Sequence, residues 1–220
     1  MSILNQKTIK NKISIEGVGL HTGKLVKLKL IPSAPNTGIT FKRTDIKNSN
    51  IIIPSYDNVV DTTLCTTISN DNGVKVSTIE HLMGALYGLG IDNIIVETNS
   101  QELPILDGSA KIFVEKILSA GIDISSLPIK LIKIEKQVTY QEGTKSITID
   151  KSKVASEIDF EIRYKNKIIG NQKNKINIFN DDLQHIFESR TFCLYEDVEK
   201  LKSAGLAKGG SLENAVVVGE

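Results

Sequence analysis

The sequence has no tryptophan, two cysteines, two methionines and three histidines among its 220 residues. Cys65 and Cys193 supply neither the disulfide density of a small secreted domain nor the paired spacing of a structural zinc site. No apolar run approaches the ~20 residues needed to cross a bilayer, and the first residues lack the apolar core of a signal peptide. These absences exclude a transmembrane protein and favour the reducing cytoplasm.

An excess of either charge is also missing. The chain has 27 Lys and Arg residues against 26 Asp and Glu residues, a formal net charge of +1. No overall field therefore drives it onto nucleic acid or an acidic membrane surface. With 40% hydrophobic residues the chain can bury a core, and its length suits one large domain or two small ones.

The first half alternates apolar and polar residues in the manner of half-buried strands. The segments 24–30 and 64–68 have this β-branched, period-two character, and 91–97 is predicted as a further strand. The Asn-Gly step in Asn70–Gly73 predicts a tight hairpin turn, because its residues tolerate positive φ angles.

Two helices are predicted in the same half. Ser77 and Glu80 have the spacing of a capping box, and the apolar spacing that follows predicts a helix over 78–88. Asp107 is a candidate N-cap for a second helix that ends at Gly121. The first half thus combines strands with two helices.

Residues 124–128 form the best candidate linker, because two serines and a proline interrupt both periodicities. Strands are predicted at 129–140, 145–149 and 157–164, an exposed loop tip at 170–175, and short helices near 181–187 and 196–202. We therefore expect an α+β protein of two domains, 1–127 and 128–220. The apolar strand at 215–218 is expected to lack a partner within this chain.

The scarce histidines can each be weighed against a structural role. Glu80 and His81 begin the predicted helix, where the helix dipole favours a neutral, metal-binding imidazole; equally, Glu80 completes a capping box and His81 packs in the first turn. His21 lies in a glycine-spaced loop that either presents it to a ligand or is simply a tight turn. Thr191 is a possible hydroxyl donor or a capping residue.

Seven motifs occur in order along nearly the whole chain. They are Gly17-Val-Gly-Leu-His-Thr-Gly23, Thr63-Leu-Cys-Thr66, Ser77-Thr-Ile-Glu-His-Leu82, Gly88-Leu-Gly-Ile-Asp-Asn93, Glu102-Leu-Pro-Ile-Leu-Asp-Gly-Ser-Ala110, Arg190-Thr-Phe192 and Gly209-Gly-Ser211. On these motifs the sequence resembles the UDP-3-O-acyl-N-acetylglucosamine deacetylases of lipid A biosynthesis.

The resemblance implies a cytoplasmic zinc amidohydrolase with two similar strand-plus-helix sandwich domains and the active site between them. By this resemblance Glu80 is the general base, His81 a metal ligand and Thr191 the oxyanion donor. The implied cofactor is Zn2+, with Fe2+ as a possibility. The implied substrate is the UDP-sugar acyl compound, whose acetamide is hydrolysed with release of acetate.

Further residues are expected to contact the substrate on the same grounds. They are His21, Leu64, Cys65, Phe192, Gly210, Ser211, Leu212, Ala215 and Val216. The resemblance implies no nucleic-acid partner, no stable membrane insertion and a monomer when complete.

The sequence also departs from the family. The family's later His-Lys-x-x-Asp helix and a further catalytic His do not occur in these 220 residues. We therefore expect a fragment with an incomplete second domain, little zinc affinity and little activity by itself. The alternative is a naturally short, non-catalytic homologue that binds a nucleotide sugar or an acyl ligand.

Overall fold

The computed structural model of the chain describes residues 4–152 and 156–219. Within them, strands in several sheets combine with four helices, which confirms the α+β class. The helices are α1 (Glu80–Leu89), α2 (Lys111–Ala120), α3 (Gln184–Glu188) and α4 (Tyr195–Ser203). The strands are β1 (Asn5–Ile9), β2 (Ile13–Val18), β3 (Leu25–Pro32), β4 (Ile39–Arg43), β5 (Ile51–Ile52), β6 (Val59–Asp61), β7 (Thr67–Ser69), β8 (Lys75–Val76), β9 (Ile94–Thr98), β10 (Ile122–Pro128), β11 (Val138–Glu142), β12 (Lys145–Ile149), β13 (Glu157–Arg163), β14 (Asn171–Asn177), β15 (Phe192–Leu194) and β16 (Val216–Val218).

The chain folds into two compact units. The first unit comprises the residues up to Pro128 together with those from Gln184 onward, and the second unit comprises Ile129–Leu183. A break falls after Pro128, and the residues from Gln184 onward belong to the first unit. The division into domains 1–127 and 128–220 stays a prediction, and its outer limits, 1 and 220, lie outside the described residues.

The core lies in the first unit. Its main sheet has the strand order β2-β3-β9-β4-β5, with β3 antiparallel and β4 parallel to the central β9. In β3, Val26, Leu28 and Leu30 are buried, while the residues between them are exposed, as the alternating pattern predicts. Leu28 and Leu30 join a cluster that includes Phe41 and the inner faces of α1 and α2.

The predicted hairpin at Asn70–Gly73 is confirmed. Strands β7 and β8 pair antiparallel on either side of it. The Asn70 N–H donates to Val74 O at 3.1 Å, and Gly73 adopts φ +75°. The turn thus uses the positive φ that glycine supplies without steric cost.

Helix α1 begins two residues later than predicted, and the capping box is wrong. Thr78 has φ +58°, which is incompatible with a helix, and Ile79 is the N-cap without a side-chain bond. The Ser77 hydroxyl donates to Gln101 O, whereas the Glu80 carboxylate accepts from Thr66 N–H. The Glu80 carboxylate is therefore directed to a neighbouring loop instead of back along its own helix.

The N-cap assigned to Asp107 is also wrong. Helix α2 begins at Lys111, and Asp107 accepts instead from the backbone and hydroxyl of Ser109. The Ser109 hydroxyl in turn accepts from Lys111 N–H at 3.0 Å. The predicted end at Gly121 is confirmed, with φ +74°. None of the helices in the described chain is long and apolar enough to cross a membrane.

The predicted linker at 124–128 is wrong, because these residues belong to β10. This strand pairs antiparallel with β1. The Gln6 side chain also donates to Pro128 O at 2.8 Å. Strand pairing uses the N–H and C=O groups of the backbone. Two serines and a terminal proline are therefore tolerated in this mostly exposed strand.

In the second unit, the predicted loop tip at 170–175 is a strand. Strand β14 pairs with β13, and the charges on the two strands are complementary. Lys173 contacts Asp159 at 3.1 Å and Lys175 contacts Glu157 at 3.0 Å. Cross-strand ion pairs of this kind support a polar hairpin that has little apolar signal. Of the strand predicted at 129–140, only the part from Val138 onward is observed.

The last strand has a partner, contrary to expectation. Strand β16 pairs in parallel with β15, with Phe192 opposite Val216 and Leu194 opposite Val218. Nothing in the apolar run itself could identify this partner. The pairing brings the segment after Gly210 next to Thr191, which is the residue before β15.

Candidate active site

The loop that carries His21 connects β2 to β3 in a tight turn. Gly19 N–H donates to Lys24 O, and Gly23 N–H donates back to Gly19 O, each at 2.9 Å. Both ring nitrogens of His21 are buried and have no hydrogen-bond partner among the residues that the structure describes. The loop thus places a polar ring inside the first unit with its hydrogen-bonding capacity unused.

Among the neighbouring groups, Cys65 has the largest effect on the pKa of that ring. The thiol lies beside the imidazole without satisfying hydrogen-bond geometry at either nitrogen. It raises the pKa of His21 against the opposing effect of burial, with smaller contributions from Glu102 and Glu80. Conversely, His21 lowers the pKa of Cys65, which burial opposes and which Thr67 and Thr78 assist.

The loop that contains Cys65 is hydrogen-bonded to Glu80. The next residue, Thr66, donates its N–H to Glu80 Oε2 at 3.0 Å. Leu64, on the other side of Cys65, has φ +63° and a side chain that is 56% exposed. This short loop therefore connects His21 to the carboxylate that begins α1.

His81 follows Glu80 in the first turn of α1. Burial lowers the pKa of His81, and the nearby carboxylates of Glu80 and Asp107 only partly oppose this. The imidazole is consequently neutral over the physiological range, the form in which histidine binds metals.

Thr191 is held from both sides by backbone hydrogen bonds. Its N–H donates to Gly108 O at 2.8 Å, and its carbonyl accepts from Val216 N–H at 2.9 Å. Arg190 adds a clamp, because its guanidinium donates to Asp107 O at 2.7 Å and to Leu212 O at 3.0 Å. Thr191 thus lies beside the Asp107–Gly108 segment. The Asp107 carboxylate of this segment is one of the two that partly oppose the lowering of the His81 pKa.

Gly108 makes this approach possible. It has φ +83°, and a Cβ atom there would lie 2.1 Å from Asn214 O and 3.4 Å from Thr191 Cγ2. No larger residue fits without displacing backbone.

The segment from Gly209 to Val216 contacts both the His21 loop and Thr191. Gly209 N–H donates to Leu20 O at 3.0 Å, next to His21, and Val216 N–H donates to Thr191 O at 2.9 Å. Exposed apolar side chains occur along this segment and at the adjoining strand. The exposed fractions are 74% for Leu212, 40% for Val216 and 38% for Phe192.

The first unit contains all the residues that the sequence analysis assigned to the site. His21 interacts with Cys65, and the next residue, Thr66, hydrogen-bonds Glu80, so these residues form one group. His81 and Thr191 meet through Asp107 and Gly108. Within the described residues, no hydrogen bond joins Leu212, Ala215 or Val216 to Glu80 or His81.

The donor set for a metal is incomplete. Among residues 4–152 and 156–219, no group of three or more His, Cys, Asp or Glu side chains could hold a metal ion. A catalytic zinc takes about three protein ligands. His81 fits one of these positions, and the described residues do not supply the other two.

Sequence reasoning assigned no role to Glu102 or Arg190, although both lie in the quoted motifs. A single sequence does not show that a charged side chain is buried. For Glu102 a signal was present, because the four residues that follow it, Leu103 to Leu106, contain no charge. In the structure Glu102 is 1% exposed.

A carboxylate, a neutral imidazole and a threonine hydroxyl on neighbouring segments are groups that hydrolysis of an amide uses. Comparisons with known proteins point the same way. The LpxC family, described as UDP-3-O-acyl N-acetylglycosamine deacetylase, matches residues 6–220.

Several relatives carry the name UDP-3-O-acyl-N-acetylglucosamine deacetylase. The one from Nautilia profundicola is 45% identical over 98% of this chain and 73% of its own length. Those from Haemophilus influenzae and Haemophilus ducreyi are 43% and 39% identical, over 98% and 99% of this chain and 72% of their own lengths. The chain therefore belongs to the UDP-3-O-acyl N-acetylglycosamine deacetylase family.

Proposed function

We propose that this protein hydrolyses the acetamide of UDP-3-O-acyl-N-acetylglucosamine, releasing acetate in the committed step of lipid A biosynthesis. The observation that carries the proposal is the position of Glu80 and His81 in the first turn of α1. The Glu80 carboxylate is held by Thr66 N–H and is not used as a helix cap. The relatives' names supply the substrate.

Glu80 is assigned as the general base. Thr66 N–H engages Oε2, and Oε1 is the oxygen that we assign to proton transfer. A carboxylate held at one oxygen is oriented for a water molecule at the other. It takes the proton of that water as the oxygen attacks the acetamide carbon.

Thr191 is assigned as the donor to the oxyanion that this attack creates. Its backbone is fixed at both N–H and C=O, so its hydroxyl starts from a fixed position and needs only to rotate. Donors held in place before the reaction stabilise developing charge without reorganisation.

His81 is assigned as the metal-binding residue of the described chain. The family is one of metalloenzymes, and we propose Zn2+ as the metal, with Fe2+ as the alternative. A bound metal would polarise the carbonyl and acidify water. The neutral state of the buried imidazole supports this role.

The remaining residues are assigned to the substrate. His21, Leu64 and Cys65 would line its approach beside Glu80. The exposed apolar side chains of Phe192, Leu212 and Val216, with Gly210, Ser211 and Ala215 on the same segment, would contact the acyl chain. A cytoplasmic location, a monomeric state and the absence of a nucleic-acid partner remain expectations from the resemblance.

The test uses the protein expressed from its own gene, purified and supplied with Zn2+ and UDP-3-O-acyl-N-acetylglucosamine. Acetate and the free amine should appear in equal amounts. His81→Ala should lower the bound zinc measured by mass spectrometry, whereas His185→Ala, which replaces the histidine of α3, should leave it unchanged. Substrate binding without acetate release would favour the non-catalytic alternative.

A further inference from the structure

A buried carboxylate that none of these assignments uses lies between the His21 loop and α1. Glu102 Oε1 accepts from His21 N–H at 2.7 Å, and Oε2 accepts from Thr22 N–H at 2.8 Å. The Thr22 hydroxyl donates to Oε2 at 2.6 Å, and the Thr78 hydroxyl donates to Oε1 at 3.3 Å. Backbone and hydroxyl groups of two separate segments therefore converge on this one side chain.

These hydrogen bonds compensate the burial of the Glu102 carboxylate. No ion pair within the described residues includes Glu102. A buried carboxylate without a cation is tolerated only where several hydrogen bonds compensate its lost hydration. The arrangement is consequently specific, because moving either segment would leave the charge under-solvated.

The His21 loop is shaped around this carboxylate. A Cβ atom at Gly19 would lie 2.3 Å from Glu102 Oε2 and 2.6 Å from Thr22 Oγ1. The glycine spacing of the loop thus serves close approach of the backbone to a buried charge, in addition to the turn itself.

The Glu102 carboxylate also contacts the residues just before α1. Thr78, two residues before Glu80, has φ +58° and donates its hydroxyl to Glu102. Its neighbour Ser77 pairs with the same segment, since Ser77 N–H donates to Gln101 O at 2.8 Å and Leu103 N–H donates to Ser77 O at 3.0 Å. The left-handed conformation at Thr78 is costly for a β-branched residue and persists because these contacts hold it.

We propose that Glu102 is a positioning residue, whose carboxylate holds the His21 loop and the beginning of α1 in one fixed arrangement. It acts through His21, Glu80 and His81, so its importance for turnover rests on the proposed function. The arrangement itself can be measured without substrate.

The decisive variant is Glu102→Gln, which keeps the size of the side chain. Each carboxylate oxygen accepts from a backbone N–H, so an amide in either orientation places its NH2 group against a donor. Hydrogen exchange at His21 N–H and Thr22 N–H should rise about ten- to one-hundred-fold, as expected for loss of hydrogen bonds to a charged group. Exchange at Leu28, in the centre of β3, reports global opening and should change much less.

Glu97→Gln is the matched control, because Glu97 lies on β9 and pairs with Lys42 at 2.9 Å, away from the loop. It should leave exchange at His21 and Thr22 unchanged. With the substrate, Glu102→Gln should lower kcat/KM, whereas Glu97→Gln should not. If wild-type protein releases no acetate, the proposed function fails, and the exchange data still decide the role of Glu102.

Thr22→Val and Thr78→Val serve if Glu102→Gln does not fold. Each removes one hydroxyl donor and should raise exchange at His21 N–H several-fold. Unchanged exchange at His21 in every folded variant, or an equal rise at His21 and Leu28, would overturn the proposal.

Discussion

The two units of this chain differ in how far their strands are supported by a buried apolar core. Nearly all of the buried apolar side chains belong to the first unit, and within the described residues the second unit buries only Ile169 and Leu183. Every residue of β11 and β12 is exposed. All the candidate site residues belong to the first unit, where a packed core gives fixed positions to polar side chains.

Polar contacts differ between the units in the same direction. In the first unit Glu102 and Arg190 bind backbone atoms more than 80 residues away in sequence, at His21 and Asp107. In the described part of the second unit, the ion pairs join residues of one hairpin or residues two apart in the sequence, and they are solvent-exposed. Long-range contacts of buried polar groups can specify a catalytic geometry, whereas exposed pairs contribute little to stability.

The largest expected difference concerns two carboxylates. Glu80→Gln keeps an acceptor for Thr66 N–H but cannot take a proton, so kcat should fall about 100- to 10,000-fold. Glu157→Gln, in β13 of the second unit, should leave kcat unchanged. Initial rates of acetate release and circular dichroism of both variants provide the measurement. A Glu80→Gln variant within about threefold of wild type would rule out general-base catalysis by this residue.

Truncating one phenylalanine in each unit tests where the stability resides. Phe41→Ala removes a fully buried side chain and should lower the free energy of unfolding by about 3–5 kcal/mol. Phe160 is 62% exposed, and Phe160→Ala should cost less than about 1 kcal/mol. Urea unfolding measures both. Equal losses would show that the second unit depends on apolar packing as much as the first does.

Substitutions at two glycines with positive φ distinguish the stability cost of backbone strain from that of steric exclusion. Gly108→Ala places Cβ against Asn214 O and should cost about 2–4 kcal/mol, with loss of activity because Gly108 O anchors Thr191. Gly143, in the turn between β11 and β12, has φ +57° and open space around it. Gly143→Ala should therefore cost only about 1 kcal/mol. Thermal unfolding and kcat/KM together measure the difference; matching stabilities and activities would contradict it.

The smallest expected effect concerns ion pairs. Arg43, 9% exposed, bonds both oxygens of Asp45 and lowers the pKa of that carboxyl. Asp45→Asn should cost about 1–2 kcal/mol at neutral pH. The wild-type contribution is present above the usual aspartate pKa and disappears as the pH falls through the lowered value.

In the matched pair of the second unit, the Arg163 side chain is 73% exposed, compared with 9% for that of Arg43. Arg163 lowers the pKa of Glu161 in the same sense, but water and salt screen the interaction. Glu161→Gln should produce no measurable change in stability between pH 3 and pH 7. Urea titrations across this range, at low and high salt, make the comparison. A salt-insensitive loss for Glu161→Gln would contradict it.

The sequence by itself determined the features that depend on neighbours along the chain. Alternation predicted β3, the Asn-Gly step predicted the hairpin between β7 and β8, and Gly121 predicted the end of α2. The ordered motifs identified the family, since they require only residue types in sequence order. His81 at a helix start was predicted as neutral, and burial lowers its pKa as well.

Only the tertiary structure decided which groups meet. The capping box at Glu80 failed because a distant backbone donor, Thr66 N–H, competes for the carboxylate. The linker at 124–128 and the loop at 170–175 became strands because pairing depends on a partner strand that local composition does not reveal. Glu102 and Arg190 acquired their contacts in the same way, since their hydrogen-bond partners at His21 and Asp107 lie on segments far away in sequence.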